Sequence, residues 1–524
     1  MFTINPIASD YCGHRNLRTL SWNKNTDCCS WDRVQCDETM GQVIELYLFC
    51  SGLQGKFHTN SSLFQSPVSN GLSLSYNNFS GSLISPKFGE LSSLTHHIQG
   101  LDSGLKNLTQ LRGLYLDSVN ISSTIPLNFS PYLTTLQLSG ADLREALPER
   151  VFDLSNLEYL SLSSNSLTGA IPSNLQGPIP KSLLDLQGLY ALSISQNNLS
   201  GQIASAVCNL KTLTVLDLGS NHLNGTIPQC LGEMSELQEK VPPSLINCRY
   251  LEFLDLGNNE LNDTFPNWLG CLPYLRILCL GSNKLHGPLK DSRRNNLFAQ
   301  IRVIDLSSNG FSGKLPVSLF ENFQAMKIIG ENSETREYID DYYSVYYMNT
   351  LIVTTKGWDR EFFHVLTTNI IINFSRNRFE GYVPSIGDLV GLRELNLSHN
   401  GLEGVIATSL QCLSVLELLD LSSNKIGGEI PQQLVSLTFL VVLDLSHNHL
   451  VGCIPKGKQF DTFDNSSYQG NDGLRGLPLS KDCGGDDGVP QATTPVELDD
   501  EEEEEGDLFS WQAVLMGFGC GLVI

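Results

Sequence analysis

The sequence predicts an α/β solenoid, a horseshoe whose parallel β-sheet lines the concave face, and three observations carry that prediction. One phrase, close to LxxLxLxxNxLxGxIP, recurs along the chain: VIDLSSNGFSGKLP, LLDLSSNKIGGEIP and VVLDLSHNHLVGCIP are copies of it. Where the register is clean the copies stand 24 residues apart, as from Asn197 to Asn221, Asn400 to Asn424 and Asn424 to Asn448. The Asn of the phrase also recurs at Asn165, Asn259, Asn283, Asn309 and Asn377, with weaker copies that put Ser51, Asn77, Val119 and Ala141 in its place. That makes fourteen strand-turn units. The length of 524 residues would otherwise suggest three or four domains. A stacked array grows without adding new cores, so length does not divide this chain.

Each position of the phrase has a physical reason. In LDLSSNKI, Leu419 to Ile426, the alternating Leu residues face inward, as the period of two requires of a strand. Asn424 falls where the chain turns away, and its amide can bond backbone groups that otherwise lack partners. Gly428 permits a tight bend and Pro431 suits a segment leaving the sheet. No unit can bury its Leu face alone, so neighbours must supply the other wall. This is the leucine-rich repeat at its plant-type length of about 24 residues.

Taken in order, residues 1–40 form a partial Cys-containing N-terminal cap and 41–320 a first block of repeats. Within that block the phrase falters at Leu91–Leu111, Ile171–Leu183 and Ile227–Leu245. The spans Asn165–Asn197 and Asn221–Asn259 are too long for one repeat and too short for two, so the reading is internal deletion of a strand, with loop insertion as the alternative. Residues 321–368 are an island, because the 68 residues from Asn309 to Asn377 exceed one repeat by roughly forty. Its passage EYIDDYYSVYYMNTLIVTTKGWD is rich in Tyr, Val, Ile, Thr and Trp and lacks Pro, which favours strands over a loose linker. Exposed Tyr gives large contact area at low entropic cost, so the island reads as a binding element, and packing onto the solenoid is the plainer alternative for any one Tyr. A second block, 369–455, is followed by a C-terminal cap, 456–485, and an acidic juxtamembrane linker, 486–510, containing LDDEEEEEGD.

The chain closes on WQAVLMGFGCGLVI, residues 511–524. These fourteen residues are fewer than the roughly 20 a spanning helix needs, so they read as the start of a transmembrane helix cut off partway, or else as a short hydrophobic tail. The opening MFTINPIASDYC has neither the basic nor the apolar region of a signal peptide.

The net charge of −23 argues against nucleic acid as a partner, which needs clustered Lys and Arg. No catalytic constellation is present: the chain lacks HExxH, GxSxG, GxxxxGK[ST] and the kinase motif set, so no enzyme and no cofactor is expected. The 14 Cys do not fall at metal-site spacing, and His447 and His449 read as turn residues rather than ligands. Cys grouped at the two ends of the array suggests disulfide-locked caps in an oxidising compartment. Eleven N-x-[ST] sites agree with a glycoprotein: Asn60, Asn78, Asn107, Asn120, Asn128, Asn198, Asn224, Asn262, Asn373, Asn396 and Asn465. Asp217, Asp255, Asp305, Asp420 and Asp444 share one strand position and are expected to line up as a solvated acidic stripe favouring a basic or hydroxyl-rich ligand. Glycans on Asn373 and Asn396 would cover part of it.

The phrases SWNKNTDCCSWDRVQCDETMGQVIELYL, LINCRYLEFLDLGNNELNDTFPNWLG and IPQQLVSLTFLVVLDLSHNHLVGCIPKGKQFDTFDNSSYQGNDGLRGLPLSKDC, with the acidic run before the apolar tail, closely resemble plant leucine-rich-repeat receptor-like proteins of the Cf disease-resistance type. The resemblance spans nearly the whole chain. It implies a cell-surface receptor at the plasma membrane, single-pass and without a kinase, that detects an extracellular pathogen protein or peptide. Such receptors signal through partner receptor kinases, a constitutive adaptor and a recruited co-receptor. Islands of the family carry a Tyr, eight residues, then Lys-Gly, which Tyr347, Lys356 and Gly357 match; with Tyr342, Tyr343 and Trp358 these would hold ligand or co-receptor. The four repeats from Asn377 to Asn448 would meet the co-receptor. Gly517 and Gly521 make a GxxxG face for the adaptor kinase. Cys453 with Cys483 would lock the C-terminal cap, and Cys29 with Cys36 the N-terminal one. The family's signal peptide, first cap Cys segment, completed helix and basic tail are expected to be missing here, as in a chain truncated at both ends. The alternatives are a secreted inhibitor of microbial wall-degrading enzymes and a non-functional fragment.

Overall fold

Three-residue strands cannot stand alone, because each exposes backbone donors and acceptors along both edges. In the computed structural model they are stacked. It describes, with internal gaps of one to three residues, 3–4, 22–55, 70–79, 111–119, 131–171, 188–229, 248–290, 297–329, 351–362, 368–479 and Cys483. Among the described residues one sheet has fifteen strands. Val34–Cys36 lies antiparallel to Val43–Tyr47 at its first edge, and the other strands run parallel, one for each of the fourteen expected units.

The register is strict. Leu216 pairs with Leu254, Leu254 with Leu278, Leu278 with Ile304, Ile304 with Ile372, Ile372 with Leu395 and Leu395 with Leu419. These central residues are all 0% exposed and belong to one continuous core from Leu72 to Leu474. A one-residue slip would turn each of them out of the core, so burial enforces the register. The strand Val303–Asp305 pairs directly with Ile371–Asn373, so the island leaves the ladder unbroken. The two overlong spans behave alike: Tyr159–Ser161 pairs with Ala191–Ser193, and Val215–Asp217 with Phe253–Asp255. Each such span contributes one rung.

The Asn turn is closed in three dimensions. Asn424 Nδ2 donates to Leu421 O and Ser422 O of its own repeat and to Leu397 O of the preceding one, while its Oδ1 accepts from Leu402 N. Asn197, Asn221, Asn259, Asn283, Asn309, Asn377, Asn400 and Asn448 repeat this pattern. The residue before each Asn takes the left-handed conformation, with Ser423 at φ 53° and His447 at φ 53°.

Beyond the Asn the chain forms a second ladder. Thr168–Ala170, Asn198–Gln202, His222–Gly225 and Glu260–Leu261 make a four-stranded parallel sheet; His286–Pro288 begins a seven-stranded one that ends at Gly473–Arg475. Gly428 shows why its position must be bare: at φ 74° a Cβ there would stand 2.8 Å from Val405 Cγ1 of the neighbouring strand. The outer side carries 3-10 turns, such as Thr408–Cys412 and Gln432–Ser436, the latter following Pro431, and a helix, Val317–Asn322.

Asn424→Ala strands the Leu402 amide, at about 1–3 kcal/mol for a group left unsatisfied, and takes one of two donors from Leu397 O, Leu421 O and Ser422 O, which keep Asn400 Nδ2, Asn448 Nδ2 and His399 N. The expected result is faster hydrogen exchange at Leu402 and its neighbours and a lower denaturation midpoint. Asn424→Asp should be no better, because a carboxylate cannot donate to three carbonyls. A wild-type denaturation midpoint in Asn424→Asp would refute the ladder's role.

Candidate functional site

The first and third residues of each short strand point away from the core, onto the inner face. In the middle of the array the first row is apolar: Phe253, Ile277, Val303 and Ile371 cluster with Cys279, and Val215 packs against them. The third row is polar: Ser193, Asp217, Asp255, Cys279, Asp305, Asn373, Asn396, Asp420 and Asp444.

This polar row corrects the expectation of a solvated stripe. Asp217, Asp255, Asp305 and Asp420 are 2%, 7%, 4% and 3% exposed. Each accepts from the backbone N–H two residues on, at 3.3 Å from Gly219, 2.8 Å from Gly257, 2.8 Å from Ser307 and 3.0 Å from Ser422. Close packing of parallel strands removes the water, and the local amide replaces part of it. Asn373 and Asn396 play the same part, accepting from Ser375 N and Ser398 N. They are 0% and 3% exposed, and Asn373 Nδ2 donates to Asp305 Oδ2. A glycan on either has no open face to occupy.

A second donor usually completes the set. Ser422 and Ser446 hydroxyls donate to Asp420 and Asp444, and Ser375 and Ser398 to Asn373 and Asn396, all at 2.7–2.8 Å. In three consecutive rungs that Ser is replaced by Gly219, Gly257 and Gly281. Asp217 is compensated by hydroxyls of Ser193 and Ser195 at 2.7 and 2.6 Å. Asp255 has the Gly257 amide for one oxygen and Cys279 on the next strand. The missing side chains leave a shallow cleft, open to solvent, lined by Asp217, Asp255, Cys279 and Asp305.

Burial sets the electrostatics of this row. It lifts the Asp255 carboxyl well above its ordinary range, and the charges of Asp217 and Asp305 lift it further against the opposing Gly257 amide. Burial likewise raises Asp217, and outside this row it raises to about 6 Asp117, two residues past the strand Gly113–Tyr115. The Cys279 thiol is pushed far up by burial and by Asp255.

Of the other residues singled out in the sequence, Cys29 and Cys36 form a disulfide. Cys453 and Cys483 are each disulfide-bonded. Among the described residues the one trio of metal-ligating groups drawn close together is that disulfide with Cys28. Trp358 opens the strand Trp358–Phe362, which pairs antiparallel with Leu351–Thr355, so the island contains a hairpin. Tyr342, Tyr343, Tyr347, Lys356, Gly357, Gly517 and Gly521 lie outside the described residues, as do Asn60, Asn107, Asn120 and Asn128. Asn198, Asn224, Asn262 and Asn465 are exposed and Asn78 half-buried. The first three of these lie on or beside the flanking four-stranded sheet, away from the inner face. No helix among the described residues is long and apolar enough to cross a membrane. The cleft glycines escaped sequence reasoning, although LDLGS, LDLGN and LCLGS stood where LDLSS and LDLSH stand later.

Family profiles described as leucine rich repeat match residues 156–178, 212–234, 250–272, 300–322 and 390–450, and one described as leucine rich repeat N-terminal domain matches 13–37. The chain is 45% identical to receptor-like protein Cf-9 homolog of Solanum lycopersicum, over 100% of this chain and 93% of that one. It is 45% identical to receptor-like protein Cf-9 of Solanum pimpinellifolium, over 100% and 91%. Receptor-like protein 53 of Arabidopsis thaliana is 36% identical over 79% of this chain and 45% of its own. The first alignment runs over 788 positions against 524 residues here, so at least 264 positions face internal gaps in this chain. Among solved structures, the ectodomain of the receptor kinase GASSHO1/SCHENGEN3 from Arabidopsis thaliana aligns with TM-score 0.46 and 26% identity over 82% of this chain and 52% of its own. The plant peptide hormone receptor RGFR1 aligns with TM-score 0.45 and 21% identity over 85% and 68%.

The raised carboxyls dictate a pH dependence. An unfolded Asp titrates near 3.9, whereas Asp117 titrates at about 6 when folded. Between those values the folded state holds the extra proton, so the group's contribution to stability is fully present below pH ~4 and is lost as pH rises through about 6. Asp217 and Asp255 act in the same direction. The denaturation midpoint should therefore fall as pH is raised from about 4 to 7, and Asp255→Asn should flatten that fall. A midpoint that rises over this range would contradict the assignment.

Proposed function

The chain belongs to the Cf-9-type leucine-rich-repeat receptor-like proteins of plants, and from that membership we propose that it is a cell-surface immune receptor. Its family is one of receptor-like proteins rather than enzymes. In this reading it recognises an extracellular pathogen-derived protein or peptide and has no kinase of its own. Output passes through partner leucine-rich-repeat receptor kinases, a constitutive adaptor and a recruited co-receptor. The apolar segment 511–524 belongs to the membrane anchor, with the Gly517–Gly521 face toward the adaptor. Cys453 with Cys483 closes the C-terminal cap.

The observation that carries this reading is full-span identity to Cf-9 relatives combined with an island set between rungs that pair as if it were absent. A structural array gains nothing from such an insertion, so the island serves an outside molecule. Tyr347, Lys356 and Gly357, with Tyr342, Tyr343 and Trp358, are the residues proposed to hold ligand or co-receptor there. The exposed sequons support the inner face as the ligand surface, because glycans at Asn198, Asn224 and Asn262 would stand on the flank.

The test is co-precipitation of the tagged full chain with the adaptor kinase from plant membranes, in which no association would defeat the receptor reading. Lys356→Ala should reduce co-receptor capture, after treatment with apoplastic fluid from infected leaves, by at least about fivefold, the effect of losing a contact worth about 1 kcal/mol. Adaptor association and secretion should stay at wild-type levels. Undiminished capture would remove Lys356 from the site.

A further inference from the structure

We propose that Gly391 and Arg393 clamp both ends of the island to one rung and so set the direction in which it projects. They are positioning residues, acting through the chain ends they hold rather than by touching a ligand. The island departs after the rung Val303–Asp305 and returns at Ile371–Asn373, yet both of its roots rest on residues that open the next strand, Glu394–Asn396. The entry root is the turn Gln324–Lys327, followed by Ile328 in extended backbone at φ −119° and ψ 122°. Phe323 and Met326 are fully buried there, whereas Ile328 and Ile329 are exposed, so the chain leaves the core at this point. Met326 O accepts from Gly391 N at 2.9 Å. The exit root is 368–370. Arg393 Nε donates to Thr368 O at 2.9 Å, Arg393 N donates to Ile370 O at 3.0 Å, and Ile370 is buried.

The two roots converge on Gly391. A Cβ there would collide with Ile328 O of the entry root, and would stand 3.0 Å from Ile370 Cδ1 of the exit root and 3.1 Å from Met326 O. The repeat does not demand glycine at this position: Tyr132, Tyr250, Tyr274 and Phe439 occupy it in other rungs and are exposed. Gly188 occupies it too, and a Cβ there would meet Glu158 Cγ at an ordinary 3.7 Å. Bare backbone at Gly391 is therefore a local requirement of the two roots packed against it. Arg393 is fixed in turn, because its Nη1 is ion-paired with Glu417 Oε1 of the following rung. A planar guanidinium serves a carbonyl through Nε and a carboxylate through Nη1 at once, which the point charge of a lysine cannot copy. Roots held in advance remove part of the ordering cost of any later contact made by the island.

The clamp stands on this geometry, and its effect on co-receptor capture rests on the receptor reading above. The variants are Gly391→Ala, Arg393→Ala and, as a matched control, Gly188→Ala. Hydrogen exchange of the purified full chain, followed by mass spectrometry, reads the clamp directly. Exchange in 323–329 and 368–373 should rise at least about tenfold in the first two variants. Rungs across 251–280 should keep the wild-type rate, and Gly188→Ala should change nothing. Co-receptor capture after treatment with apoplastic fluid from infected leaves should fall at least about fivefold in the same two variants, with adaptor association and the thermal midpoint unchanged. A merely structural role would lower that midpoint and would not spare adaptor association. Unchanged exchange at both roots would overturn the clamp. Faster exchange with capture intact would overturn the positioning role. A wild-type chain that captures neither kinase would strike the receptor reading alone, and the exchange comparison then decides the clamp by itself.

Discussion

The whole architecture depends on one constraint: a rung of this ladder is unfinished until its neighbour arrives. Asn424 illustrates it. Its amide needs Leu397 O from the rung before, and its oxygen is satisfied by Leu402 N, which belongs to that same earlier rung. Leu419 is sealed only between Leu395 and Leu443. Hydrogen bonding and hydrophobic burial therefore demand the same partner at the same register, and stability accumulates along the stack rather than within a repeat. The ends need other means. Val34–Cys36 turns antiparallel beside a disulfide at one end. At the other, Asn471 takes the ladder position within the cap, donating to Leu445 O and Tyr468 O and accepting from Leu450 N.

This constraint explains what the chain tolerates. Material can enter or leave wherever one rung's outer return meets the next, provided the strands still meet. The island does so between Val303–Asp305 and Ile371–Asn373, and the two overlong spans do so elsewhere. The internal gaps against the Solanum relatives fall on an architecture built from interchangeable units, so the remaining rungs close ranks without loss of register.

Legibility in the sequence followed the same logic. The Leu and Asn positions answer to backbone geometry, which is identical in every rung, so fourteen units could be counted from spacing and each is found as a strand. Asn471 escaped because Tyr468, not Leu, precedes it at the inward position, although the interval of three is kept. The acidic row was legible as a row and not as an environment. Whether Asp217 meets water depends on Ser193 and Ser195 one rung away, a relation between repeats that pattern reading along one repeat does not contain. The island was legible as a break in period, and its strand-forming character from β-prone residues, which Leu351–Thr355 and Trp358–Phe362 bear out. Its role was not, since a Tyr that grips a ligand and a Tyr that packs have the same composition.

Recognition on such a surface has a restricted vocabulary. Leu, Asn and the third-row carboxylate or amide are already committed to holding rungs together, so they cannot vary without cost. A binding feature must therefore arise from the positions left over, either by adding a side chain or by removing one. Addition gives projecting groups, as the exposed aromatic ring of Tyr274 beside Tyr250 on another part of the surface shows. Removal is the subtler route. Gly219, Gly257 and Gly281 lack the hydroxymethyl group that later rungs carry, and Asp255 keeps its bond from Gly257 N. Bare backbone at two of these rungs serves the scaffold itself, since a Cβ at Gly219 would stand 2.9 Å from Asp255 Oδ1 and one at Gly281 3.0 Å from Asp305 Oδ1, so each rung's third-row residue dictates what its neighbour can carry.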